Sequence, residues 1–137
     1  MVTETLSRES AEAVAYFEHK IKFEISPNEL KTKQEKGEKF QIIDLRMVEH
    51  FAKGHIPGAI NVLIENLDAY LSNLDRETTT VVYCYDKLCH LSAIAALQVA
   101  KKGYRVRELD GGFDGWAGRQ FDVESQKSAG SCSSSCA

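Results

Sequence analysis

At 137 residues the chain is long enough for one compact domain with a real core and too short for two ordinary ones. Its 43% hydrophobic and 27% charged residues are those of a globular protein, and a net charge of −3 offers nothing to nucleic acid or an anionic membrane. It contains no run of about 18 apolar residues, so no membrane span is expected, and Met1 to Ser10 lack the apolar stretch of a secretory leader, which makes a cytoplasmic location the default.

In chain order, residues 5–22 read as a helix, with Leu6, Val14, Phe17 and Ile21 on one stripe. Ser26-Pro27-Asn28-Glu29 reads as a second helix start: Ser26 caps, Pro27 fits the first turn and Glu29 completes a capping box. That helix should run to Lys36 and stop at Gly37. The apolar run 40–44 predicts a strand, 47–53 a short helix ending at Gly54, and 59–62 a second strand. Residues 66–74 predict a helix, and the β-branched run 79–84 a strand. A helix apolar over most of its surface follows at 91–102, with Lys101 and Lys102 in its last turn and Gly103 just beyond. A strand at 105–109 and a short helix at 113–119 complete the pattern, and 125–137 has the composition of a flexible tail. Short apolar strands alternating with helices imply an α/β fold with a mainly parallel sheet.

In such sheets ligands bind beyond the carboxyl ends of the strands. Arg46, Cys84 and the Gly111-Gly112 pair each follow a strand and should share one region. The backbone between Cys84 and the helix at 91 can curl its N–H groups inward, with the helix N-terminus adding partial positive charge. Such a loop stabilises a thiolate. The plainer alternative is that Cys84 is a small buried hydrophobe at a strand end.

Several motifs carry a family resemblance. They are Asp44-Leu45-Arg46, Glu49-His50-Phe51 and Gly54-His55-Ile56-Pro57-Gly58-Ala59-Ile60-Asn61, then Val81-Val82-Tyr83-Cys84, Ser92-Ala93, Gly103-Tyr104 and Gly111-Gly112-Phe113-Asp114-Gly115-Trp116. In order and spacing they resemble rhodanese-like domains over about residues 26–122. The resemblance implies a five-stranded sheet with helices on both faces, and Cys84 as a persulfide carrier. The implied reaction is sulfur transfer: the thiolate takes a sulfane sulfur from thiosulfate or a persulfide and passes it to a thiophilic acceptor. It divides the chain into an N-terminal helical extension (1–24), the rhodanese-like domain (25–123) and a Ser/Cys tail (124–137).

The active-site loop, Cys84-Tyr85-Asp86-Lys87-Leu88-Cys89-His90, departs from the family pattern. It has no Gly, looks longer than usual, and carries Cys89 where a cation often sits. His90 stands where related phosphatases need an Arg to clamp phosphate bidentately, which argues against phosphatase activity. Asp86 should disfavour a thiolate and repel thiosulfate unless it points outward, with Lys87, Arg46 or His90 as offsets. Asp44 is expected to bond loop backbone and set Arg46; His55, Phe113 and Trp116 are read as structural. Cys84 and Cys89 could form a disulfide if their Cα atoms lie within about 7 Å, with Cys89 resolving a sulfenate or persulfide; otherwise Cys89 packs under the loop. Cys132 and Cys136 could accept sulfur or bind a soft metal, but are more simply incidental thiols of a tail.

No cofactor and no metal are expected. The expected partners are a small-molecule sulfur donor and acceptor, or a sulfur-relay protein, with self-association through the N-terminal helix left open. Two other functions compete: a non-catalytic rhodanese-like binding or regulatory module, and a thiol redox or metal-handling protein using Cys84 and Cys89.

Overall fold

The computed structural model describes residues 7–126. Helix α1 (Arg8–Phe23) starts where the Ser7 side chain accepts the Ser10 N–H. A two-residue strand, β1 (Glu24–Ile25), follows, then α2 (Pro27–Glu35), capped by Ser26 Oγ on the Glu29 N–H at 3.1 Å. Only that half of the expected capping box forms. The Glu29 carboxylate instead meets Arg107 at 3.0 Å, because a full charge partner outcompetes a backbone amide. The chain continues through β2 (Gln41–Asp44), α3 (Val48–Lys53), β3 (Ala59–Asn61), α4 (Ile64–Tyr70) with a 3₁₀ turn at Leu71–Asn73, β4 (Thr80–Tyr83), α5 (Leu91–Lys101), β5 (Val106–Leu109) and α6 (Gly112–Ala117).

The five strands form one parallel sheet in the order β1-β5-β4-β2-β3. Side-chain alternation splits the central strands between two cores. Ile42, Val81 and Tyr83 join Leu30 of α2, Phe51 of α3 and Trp116 of α6 on one face. Ile43 and Val82 join Leu67 of α4 and Ala95 and Val99 of α5 on the other. Every residue of β4 is buried, as a central parallel strand covered on both faces requires. The α/β architecture with helices on both faces is therefore the one the sequence implied.

Three details differ. The strand β1 leaves no mark in the sequence, because two residues are too few to show an alternation; it pairs with Glu108 and Leu109. The α1 stripe does not reach the core: no residue of this helix is buried, and Val14, Phe17 and Ile21 are exposed. The folded chain also runs past the expected start of the tail. Glu124 exchanges backbone hydrogen bonds with His55 at 2.8 Å each way, and the Gln126 N–H donates to Ala52 at 2.8 Å. Cys132 and Cys136 lie outside the described residues. None of the helices described is long and apolar enough to cross a membrane.

Candidate active site

The carboxyl ends of β2, β4 and β5 do converge. Asp44 and Tyr83 pair in register, Cys84 follows directly, and β5 delivers the Asp110-Gly111-Gly112 turn beside it. The first turn of α6 holds the cysteine loop: Phe113 N–H donates to Cys84 O and Asp114 N–H to Tyr85 O, both at 2.9 Å. These donors have no partner within their own helix, so the loop carbonyls complete the helix start. The approach is close enough to demand glycine. A Cβ on Gly112, whose φ is +59°, would sit 2.8 Å from Cys84 O and 2.9 Å from Asp86 N. Gly112→Ala is therefore expected to push the loop off α6, lowering stability by about 1–3 kcal/mol and impairing Cys84 chemistry. Melting and Cys84 alkylation rates check this; a variant matching wild type in both contradicts the clamp.

Inside the loop Asp86 does the work of a turn former. Its Oδ1 accepts the Leu88 N–H at 3.0 Å and its carbonyl accepts the Cys89 N–H at 3.2 Å. Two amides expected to converge on the thiolate are thus engaged on Asp86, while the Tyr85 N–H favours the ionised sulfur. Lys87 and Leu88 are exposed, and His90 is the exposed N-cap residue of α5 without a side-chain capping bond. Tyr85 reaches across to α3, where its hydroxyl accepts the Met47 N–H at 3.1 Å and bonds His50 Nδ1.

Cys84 itself is 1% exposed. Its sulfur lies 2.7 Å from that of half-buried Cys89, and both are free thiols. Burial, then the Cys89 contact, pushes the Cys84 thiol up to about 12, against the lowering effect of the Tyr85 amide. This environment disfavours the thiolate that inward-curled loop amides and the helix N-terminus were expected to stabilise.

Arg46 was expected to lend that thiol positive charge. The structure assigns it elsewhere. Its guanidinium makes a buried pair with Asp44 (2.9 Å) and donates to the Gly54 carbonyl. It lies 3.9 Å over the Phe113 ring, with Tyr83 and Tyr85 each 5.8 Å away. Asp44 also accepts the Arg46 N–H at 2.8 Å and the Tyr83 hydroxyl proton. Asn61 Nδ2 ties down the turn by donating to the carbonyls of Asp44 (3.0 Å) and Arg46 (2.8 Å). Asp44 and Arg46 thus form a scaffold beneath the loop. Tyr83 and Asn61 belong to it, although the sequence showed them only as members of motifs. His55 is buried, stacks on Phe51 at 3.8 Å and bonds the Phe51 carbonyl.

Beside the loop a small cavity of about 160 Å³ is lined by Glu24, Asp86, Glu108 and Asp110 against Lys20 and Lys87. Lys20 is already paired with Glu24 at 3.0 Å. Within this lining Ser92 donates to Glu108 at 2.6 Å.

A buried strand-end cysteine, in a loop seated on the first turn of the last helix of a doubly covered parallel sheet, defines a cysteine-loop α/β domain. The chain belongs to the rhodanese-like domain family, whose match spans residues 26–119. It is 39% identical over 77 residues to the thiosulfate sulfurtransferase GlpE of Shewanella oneidensis, covering 56% of this chain and 74% of that one. It is 35% identical over 92 residues to an HTH-type transcriptional regulator of Mycobacterium tuberculosis, covering 67% of this chain and 40% of the regulator. The crystal structure of a Bacillus halodurans protein superposes with a TM-score of 0.76 at 30% identity, covering 88% of this chain and 89% of that one.

Proposed function

We propose that this protein is a sulfurtransferase in which Cys84 carries the sulfur as a persulfide. One observation carries the reading: a buried strand-end cysteine sits in a loop whose carbonyls are held by the α6 first turn, at the ligand edge of a rhodanese-like sheet. Cys84 Sγ attacks the outer sulfur of the donor, a new S–S bond forms as the donor's own S–S bond breaks, and the remainder departs as a thiolate from a persulfide or as sulfite from thiosulfate, taking up the displaced proton. A thiophilic acceptor then attacks the outer sulfur and frees Cys84. The acceptor is a small molecule or a relay protein, and the site works where its cysteines stay reduced.

The acidic lining beside the loop favours uncharged or cationic persulfide donors over the thiosulfate dianion, because like charges in a partly dry cleft repel. The test compares thiocyanate formation from cyanide with each donor over a range of salt. Persulfide is expected to be the better donor by on the order of tenfold, and the thiosulfate rate alone to rise with added salt as repulsion is screened. Neither thiocyanate nor sulfide from either donor rejects the enzyme reading and leaves the binding-module alternative; equal rates without a salt effect reject the donor preference.

A further inference from the structure

The proposed function leaves one reactive group without a task. Cys89 is not needed to carry sulfur, yet its thiol sits 2.7 Å from Cys84 Sγ. This contact is built by the loop. Asp86 holds the turn through Leu88 and Cys89, and Cys89 lies one residue before the N-cap of the eleven-residue α5. Cys89 is also the more exposed of the two, with Cys84 buried.

We propose that Cys89 is a resolving thiol that discharges the Cys84 persulfide by attacking its inner sulfur, giving a Cys84–Cys89 disulfide and releasing hydrogen sulfide. This deepens the sulfurtransferase reading and rests on it. The Cys89 Sγ–Cys84 Sγ bond forms as the bond from Cys84 Sγ to the outer sulfur breaks. The outer sulfur leaves with the bonding pair as hydrosulfide and takes the proton that Cys89 gave up. It is thereby reduced to sulfide, while the two cysteines are oxidised to the disulfide. An external dithiol reductant, supplying two electrons and two protons, restores the pair for another cycle.

Two considerations select the inner sulfur. It is the atom Cys89 already touches. The leaving group agrees: attack on the outer sulfur must expel the Cys84 thiolate, which burial makes a strong base. Attack on the inner sulfur expels the more acidic hydrosulfide, and the more acidic group leaves faster.

The test gives the full-length reduced protein, freed of reductant, one equivalent of cysteine persulfide. Free sulfide is measured, together with intact and peptide masses. Wild type is expected to release sulfide, lose two hydrogens and yield a linked Cys84–Cys89 peptide; a dithiol then restores turnover. Cys89→Ser and Cys89→Ala, each checked for a native melting profile, are expected to keep the added sulfur on Cys84 and lose sulfide release. Wild type that holds a stable Cys84 persulfide without a disulfide overturns the resolving role and leaves the carrier reading intact. Sulfur recovered on Cys89 also overturns it, since that product comes from attack on the outer sulfur. If neither sulfur nor disulfide reaches Cys84 in any of the proteins, the carrier reading itself fails.

Discussion

Cys84→Ser is expected to reduce sulfur transfer to cyanide by at least about a thousandfold while leaving the fold intact. The loss is that of a nucleophile that forms the covalent intermediate, where single deletions remove most of the chemistry. Serine fits the space and can still contact Cys89, so stability should stay within about 1.5 kcal/mol of wild type. That combination separates a missing nucleophile from a collapsed loop. Residual transfer near the wild-type rate would move the chemistry to another thiol, Cys89 being the nearest. The alternative of a binding module predicts no transfer in either protein and unchanged partner binding in the variant.

The second large effect falls on stability. Asp44→Ala strands the Arg46 guanidinium beneath the loop and leaves the Tyr83 hydroxyl without its acceptor. Arg46 is 4% exposed, so water cannot replace the lost carboxylate without opening the core. Breaking one partner of a buried ion pair costs about 3–5 kcal/mol, which for a domain of this size is a fall of roughly 10–20 °C in Tm. The double variant Asp44→Ala/Arg46→Met should recover part of that loss, because no buried charge remains. A single-variant change below about 3 °C would mean that Arg46 finds solvent, and that the scaffold beneath Cys84 is looser than its hydrogen bonds imply.

Much of this protein is legible in its sequence, and the unread parts share a physical reason. The run Thr80 to Tyr83 announces a buried strand, and chain direction alone puts Cys84 at the ligand edge. The spacing of Cys84 and Cys89 is plain, but whether the two thiols touch depends on how Asp86 folds the loop. Arg46 illustrates the limit more sharply. A cation just after a strand looks like a ligand for anions. Its neutralising partner two residues back and the ring from α6 become visible only once the sheet and last helix are assembled. Gly112 reads as a turn residue, while its contact with the Cys84 carbonyl joins segments far apart in the chain. For α1, periodicity defines an apolar stripe but not what covers it, and among the described residues Val14, Phe17 and Ile21 stay exposed.

Peptide mapping tests most directly whether the sulfur resides on Cys84. The Cys89→Ser variant, which keeps any persulfide from being resolved, is exposed to one equivalent of a low-molecular-weight persulfide. It is then alkylated and digested. The predicted result is one added sulfur on the peptide containing Cys84, removable by cyanide. Sulfur found instead on Cys132 or Cys136, with Cys84 unmodified, would contradict the claim.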